Sequence, residues 1–178
     1  MRNIHWNISA GALLIFALAY FFDENGLVAA TVPAAAIHEL GHVAALTAFH
    51  CRVTRIGVSA FGLEMDYAGV LGERELIITA AAGPLSGAVY AVVAANLPQP
   101  YFRLRGAVSL CLSAFNLLPI LPLDGGRIIA ALTDARFAAN LSKIAAAVLL
   151  LGGVGLFAGF RSFALLCMGA WLLFSNFR

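Results

Sequence analysis

Long apolar runs separated by short polar stretches dominate the sequence. Six runs are candidate membrane segments, near residues 6–22, 27–49, 74–96, 103–120, 138–159 and 162–177. A straight helical span needs about 20 apolar residues, with about 17 as the lower limit. Several runs are at the short end, so the pattern fits five or six spans. We expect an all-α polytopic membrane protein with about six transmembrane helices.

Residues 51–69 follow a different period. Apolar side chains alternate with polar or small ones over residues 56–60 and again over residues 63–67. Alternation with period two on both sides of Phe61-Gly62 predicts a β-hairpin after the second helix. Because an open strand edge cannot face lipid, we expect this hairpin to pack on protein or to lie at the membrane surface.

The composition supports the membrane assignment. Of the 178 residues, 62% are hydrophobic and 11% are charged, whereas an ordinary soluble domain is about 45–50% apolar and about 25% charged. The lipid bilayer is therefore the expected surrounding. The net charge of +2 is too small to suggest a nucleic-acid partner.

The second apolar run contains a polar cluster, His38-Glu39-Leu-Gly-His42. A carboxylate at the centre of a membrane helix costs about 2.5–3.5 kcal/mol on insertion scales, so its presence calls for a reason. Histidines four positions apart share one helix face and can bind one Zn²⁺. Glu39 is placed to take a proton from a metal-bound water. The alternative is a polar cluster satisfied inside a helix bundle.

A catalytic zinc needs a third protein ligand. Among the nine acidic residues, only Asp124 directly follows an apolar helix in an unusual setting. Pro119 and Pro122 break that helix, and Gly125-Gly126 allow a tight turn. Broken backbone at membrane depth is tolerated where it lines protein or a wet cavity. The alternative role for Asp124 is to cap the helix that follows it.

Positive charge predicts the orientation. With six spans and the N-terminus inside, eight of the 11 Lys and Arg residues lie on the inner side. The other three are Arg103, Arg105 and Arg161. Since cytoplasmic loops carry the excess of positive charge, the N-terminus is expected inside. The second and fourth helices then both run inwards, which places the candidate site towards the cytosolic side.

The two motifs together resemble the site-2 protease family of intramembrane zinc metalloproteases, peptidase family M50. HELGH in an apolar helix is followed by NLLPILPLDGGR, with a hairpin-like region and an Ala-Ala-Gly83-Pro84 step between them. The likeness covers roughly residues 30–130 and is nearest to the stage IV sporulation protein FB branch.

This resemblance implies roles for individual residues. His38, His42 and Asp124 would hold one Zn²⁺ per chain, and Glu39 would act as general base and then protonate the leaving amine. Asn116 would bind the substrate backbone or help to stabilise the oxyanion. Structural positions at the site would be Gly83, Pro84, Pro119, Pro122, Gly125 and Gly126.

The resemblance also implies an endopeptidase that cleaves membrane-anchored proteins in or near a transmembrane segment. We expect one transmembrane protease domain over 1–178, with a catalytic core near 27–132 and no CBS or PDZ domain. A separate membrane protein would be a possible regulator. The expected location is the cell membrane, as a multi-pass protein, and in bacteria the inner membrane.

Two other functions compete with the protease. Intramembrane histidines and acids also mark ion paths, so a zinc transporter is one alternative. Glu39 argues against it, because a transporter does not need a non-ligand carboxylate beside the metal. The second alternative is a family member that binds substrates without cutting them, which the intact set of candidate residues argues against.

Overall fold

The computed structural model describes residues 5–23, 25–59, 62–160 and 164–177. Within these ranges the chain is mostly helical and contains one small sheet. The elements are β1 (His5–Ile8), α1 (Ala10–Phe21), α2 (Leu27–Ala48), β2 (Arg52–Ser59), β3 (Gly62–Ala68), α3 (Glu73–Ala95), α4 (Pro100–Asn116), α5 (Asp124–Leu132), α6 (Ala135–Phe160) and α7 (Ala164–Ser175). The chain forms two compact units, Met1–Ser113 and Ala114–Arg178.

Three of the described helices are long and apolar enough to cross a membrane. They are Leu27–Ala48, Glu73–Ala95 and Ala135–Gly159, and they match three of the six predicted segments. The helices α1 and α7 have 12 residues each and α4 has 17. Large apolar side chains on the long helices, such as Val89 and Leu151, are more than 60% exposed. These surfaces fit a membrane protein whose helices face lipid.

The sequence-based boundaries are wrong in two places. Residues 6–8 were expected in the first helix, but they belong to β1, which pairs in parallel with β2. This pairing joins residues about 50 positions apart, so no local pattern reveals it. Residues 121–137 fall between the fourth and fifth predicted segments, as a linker, but they contain the short helix α5.

The predicted hairpin is confirmed, and the sheet has a third strand in the order β1-β2-β3. β2 and β3 are antiparallel, with Ile56 opposite Met65 and Val58 opposite Leu63. Ile8 lies beside Val58 in the parallel pair, so apolar side chains share one face, as the period-two pattern requires. Of the expected turn residues, Phe61 lies outside the described part of the chain.

Small residues let the helices of the first unit approach closely. A Cβ on Gly41 in α2 would lie 2.4 Å from the carbonyl oxygen of Ala82 in α3. The hydroxyl of Ser109 in α4 donates to the Gly87 carbonyl of α3 at 2.8 Å. Small interfacial residues and interhelical hydrogen bonds are typical of membrane helix pairs, where burial of large apolar groups gives no advantage over lipid.

The second unit packs around the segment between α4 and α5. Ile120 from this segment forms a buried cluster with Ala146 of α6 and Leu172 of α7. Close contact between α6 and α7 again depends on glycine, since a Cβ on Gly153 or Gly169 would lie 2.8 Å from backbone atoms of the facing helix. This packing fixes the backbone that leads to Asp124.

Candidate metal centre

Two imidazoles meet on one face of α2. His38 and His42 are one helical turn apart, and their Nε2 atoms lie 3.2 Å from each other. The His38 side chain is only 4% exposed, while His42 is half-buried. The predicted i, i+4 pair is therefore formed, with both Nε2 atoms directed at the same small volume.

The neighbouring helix α3 sets the tautomer of His42. The Nδ1 atom of His42 lies 2.8 Å from the carbonyl oxygen of Thr79. A carbonyl can only accept, so Nδ1 carries the proton and donates it. In the neutral ring, Nε2 then keeps its lone pair, which is the form that ligates a metal.

Gly83 provides the space that the His42 ring occupies. A Cβ at this position would lie 2.1 Å from His42 Nε2 and 2.5 Å from Cε1. Real carbon and nitrogen atoms do not approach this closely, so no side chain fits there while the ring stays in place. Pro84 follows Gly83 inside α3 and is also buried. The Gly83-Pro84 step predicted to be structural thus lies against a candidate ligand.

Three residues of this arrangement were missed by the sequence analysis. Thr79 acts through its backbone carbonyl, which leaves no trace in the sequence. Gly41 lies within the HELGH motif and allows α2 to touch α3. The Ser86 hydroxyl lies within hydrogen-bonding distance of the carbonyls of Ile37, at 2.9 Å, and Gly83, at 2.8 Å. In the sequence they are only small or hydroxylated residues within apolar runs. Such residues are common in membrane helices generally, so the sequence does not single these three out.

In the second unit, Asp124 begins a helix after a non-helical segment. The helix α4 ends at Asn116, and residues 117–123, which include Pro119 and Pro122, are not helical. Asp124 is the first residue of α5 and is 5% exposed. The N-cap of α5 is Leu123, so the alternative role of Asp124 as N-cap is wrong.

Gly125 and Gly126 bring the first turn of α5 against the preceding segment. A Cβ on Gly125 would lie 2.1 Å from the Leu117 carbonyl oxygen, and one on Gly126 would lie 2.5 Å from the Ile120 carbonyl carbon. Because these atoms belong to the backbone, they cannot rotate away. The glycines are therefore needed for close packing rather than for a special dihedral angle.

The remaining candidates, Glu39 and Asn116, lie on α2 and α4. Glu39 is half-buried on α2, directly after His38. Asn116 is half-buried at the last position of α4.

The donor set fits zinc. In the first unit His38 and His42 each offer one imidazole nitrogen, and in the second unit Asp124 offers a carboxylate oxygen. Two nitrogens and one carboxylate oxygen are ordinary zinc ligands, and catalytic sites use three protein ligands. Two ligands of a tetrahedral zinc with bonds of 2.0–2.1 Å are about 3.3 Å apart, close to the 3.2 Å between the Nε2 atoms. The competing interpretation is a hydrogen bond from His38 Nε2–H to His42 Nε2.

Comparison with known proteins identifies the family. Residues 70–160, just over half of the chain, match the family model Peptidase family M50. The chain belongs to peptidase family M50. The matched stretch of this M50 chain includes Gly83, Asn116 and Asp124, while the histidine pair precedes it.

Two curated members resemble this M50 chain in sequence. A zinc metalloprotease of Methanocaldococcus jannaschii is 29% identical over 137 residues, or 66% of this chain and 40% of that protein. Stage IV sporulation protein FB of Bacillus subtilis is 34% identical over 101 residues, or 52% of this chain and 35% of that protein. The aligned part is thus less than half the length of either relative.

The fold agrees with the family. The solved structure of the site-2 protease from Methanocaldococcus jannaschii superposes with a TM-score of 0.72, covering 99% of this chain and 90% of that one at 22% identity. The resemblance to the site-2 protease family, seen first in two motifs, is confirmed.

Proposed function

We propose that this protein is an intramembrane zinc metalloprotease that hydrolyses peptide bonds in or near transmembrane segments of other membrane proteins. The observation that carries the proposal is the His38–His42 pair, in which two Nε2 atoms 3.2 Å apart converge within an apolar helix of an M50 chain. The roles proposed below for Asp124, Glu39 and Asn116 follow from the chemistry of their side chains.

Zinc would be held by Nε2 of His38, Nε2 of His42 and a carboxylate oxygen of Asp124, with one ion per chain. When bound, zinc supplies a Lewis acid that polarises a carbonyl and lowers the pKa of water. The hydrogen bond from His42 Nδ1 to the Thr79 carbonyl supports this assignment, because metal-ligating histidines usually donate their other ring proton to such a partner.

Glu39 would move the proton. Its carboxylate would accept a proton from the attacking water and then deliver it to the leaving amine nitrogen. A half-buried carboxylate in an apolar helix, next in sequence to a candidate ligand, suits this role. The side-chain amide of Asn116 would donate to the substrate backbone or to the oxygen on which negative charge develops.

The finer membrane arrangement belongs to the same proposal. We assign up to six spans, in which α1, α4 and α7 cross together with the three long helices. The N-terminus would be inside and the site would lie towards the cytosol, in the inner membrane of a bacterium. A tag at residue 24 would then be accessible from the periplasm and one at 178 from the cytosol; the reverse pattern would refute this orientation.

The substrate would be a membrane-anchored protein with a transmembrane segment, and a separate membrane protein is a possible regulator. A transmembrane protease domain over 1–178, with a core near 27–132, is part of the proposal. One of the two curated relatives is a zinc metalloprotease, which supports a zinc-dependent activity.

Zinc content of detergent-purified protein tests the ligand set. We expect about one zinc per chain in the wild type and a loss in His38→Ala and in Asp124→Ala. His50→Ala is the matched control, since His50 is an exposed histidine just beyond the end of α2. Zinc that survives both ligand substitutions would place the site elsewhere.

Cleavage by Glu39→Gln separates the protease from its alternatives. This variant should keep its zinc and lose cleavage of a transmembrane substrate, because an amide cannot accept the proton. A wild type that binds zinc and cleaves no membrane protein would favour the transporter or the silent family member. Full activity in Glu39→Gln would refute the general-base role.

A further inference from the structure

The backbone of Leu121 is held by side chains rather than by other backbone groups. Its N–H donates to the hydroxyl oxygen of Ser142 at 2.7 Å, and its carbonyl accepts from Nδ2 of Asn176 at 2.7 Å. Ser142 lies on α6 and Asn176 directly follows α7. Side chains from two elements that come later in the sequence therefore bind both backbone polar groups of Leu121, which belong to two successive peptide units.

The two side chains are also joined to each other. The Ser142 hydroxyl donates to Oδ1 of Asn176 at 2.5 Å, and Nδ2 of Asn176 makes a second bond, to the Leu172 carbonyl, at 2.8 Å. This amide orientation is the one the neighbours require. With Nδ2 and Oδ1 exchanged, the amide oxygen would face two carbonyl oxygens, which can only accept. Every donor in the network thus meets an acceptor.

The network is partly buried and leads to Asp124. Ser142 is fully buried, and Ile120, beside Leu121, is 1% exposed. On the other side, a Cβ on Gly126 would lie 2.6 Å from the Leu121 nitrogen. The Leu121 peptide is therefore enclosed between Ser142 and Asn176 on one side and the first turn of α5 on the other. That turn begins with Asp124, three residues after Leu121.

We propose that Ser142 and Asn176 are positioning residues that fix the Leu121 peptide and, through it, the carboxylate of Asp124. The inference rests on the proposed function, in which Asp124 is the third zinc ligand. Neither residue belongs to the candidate ligand set. Their effect is to keep a ligand that directly follows a non-helical segment within the small error that metal binding tolerates, about 0.2 Å in ligand distance.

The test is a double-mutant cycle read out as zinc affinity. The dissociation constant for zinc is measured on full-length protein in detergent, by competition with a chromophoric chelator. Ser142→Ala and Asn176→Ala should each weaken zinc binding about 10–100-fold, as loss of groups that orient a ligand typically does. In an Asp124→Ala background, the same substitutions should change the affinity less than about twofold, because the residue they position no longer binds.

A matched control lies on the same helix. The Ser175 hydroxyl donates to the Leu172 carbonyl at 2.9 Å but makes no bond to Leu121. Ser175→Ala should leave zinc affinity unchanged within about twofold. Thermal unfolding in excess chelator checks that each variant is folded. If one of Ser142→Ala and Asn176→Ala does not fold, the zinc affinity of the folded variant tests the inference. The milder Asn176→Gln is measured if neither folds.

The outcomes distinguish this inference from the proposed function. If Asp124→Ala loses zinc but folded Ser142→Ala and Asn176→Ala bind like the wild type, the positioning role is wrong and the ligand set stands. Equal weakening with and without Asp124 would show a general structural effect and would also overturn the positioning role. If Asp124→Ala binds zinc normally, the ligand assignment itself is wrong, and the inference falls with it.

Discussion

Gly83→Ala tests whether α3 shapes the metal centre, and the structure sets the size of the effect. The new Cβ would lie 2.1 Å from His42 Nε2, about 1.4 Å short of an ordinary contact of roughly 3.5 Å. Either the ring or the helix must move by that amount. Ligand distances at a metal site tolerate about 0.2 Å, so the movement is several times larger than zinc can accept.

The effect on folding should be much smaller than the effect on zinc. Overpacking a tight interface costs about 1–3 kcal/mol, and replacing glycine by alanine within a helix returns about 1 kcal/mol. We therefore expect Gly83→Ala to lower the free energy of unfolding by roughly 0–2 kcal/mol. A displacement of about 1 Å at a reacting centre can cost about 100-fold, and we expect a loss of zinc affinity on this scale.

The assay is zinc competition with a chromophoric chelator, beside thermal unfolding in the absence of metal. Gly87→Ala is the matched control, because it makes the same change one turn along α3. Its Cβ would lie 2.3 Å from the Ser113 hydroxyl oxygen, the end of a side chain that can rotate away. Gly87→Ala should bind zinc within about threefold of the wild type. A folded Gly83→Ala that binds zinc like the wild type would refute the role assigned to Gly83.

Two further predictions concern stability. Desolvation raises the pKa of Asp23, but hydrogen bonds from the N–H groups of Val28 and Leu27 outweigh it and lower the pKa below 3.8. The stabilisation is therefore present above this value and is lost as the pH falls through the lowered pKa. The thermal midpoints of wild type and Asp23→Asn should differ at pH 6, and the difference should shrink as the pH falls below 3.8. A difference that stays constant with pH would exclude the carboxylate. Gly126→Ala should lower the free energy of unfolding by about 1–3 kcal/mol, because its Cβ would lie 2.5 Å from backbone. Gly152→Ala is the control and should be neutral or stabilising, since a Cβ there would have nothing within 4 Å. Equal thermal unfolding midpoints for the two variants would contradict the packing of Gly126.

The three long apolar helices and the histidine pair were predictable because they depend on short-range chemistry. A run of about 20 apolar residues is long enough to cross a membrane wherever it occurs, and α2 and α3 match their predicted bounds closely. Histidines four positions apart on a helix share a face by geometry alone. The hairpin followed equally from a local alternation of apolar and polar residues.

The start of the chain and the segment after Asn116 were predicted less well, because long-range packing decides their structure. Residues 6–8 directly adjoin the apolar run of the first helix, and only pairing with β2 makes them a strand. The segment after Asn116 contains two prolines, which indicate a break but not where the next helix begins. The helix α5 entered the prediction only through the alternative role of Asp124 as its cap, because nine residues are too few for a clear helical period.

What the sequence determined by itself was the chemistry: which residues can ligate zinc, which can carry a proton, and which runs prefer lipid. These properties belong to side-chain type and to spacing over a few residues. The tertiary structure decided how the ligands are held. The partner of His42 Nδ1 is 37 positions away, and the groups that bind Leu121 are 21 and 55 positions away. Because a backbone carbonyl, a missing Cβ and a buried hydroxyl gain their roles only from what packs against them, no reading of the sequence alone could have assigned them.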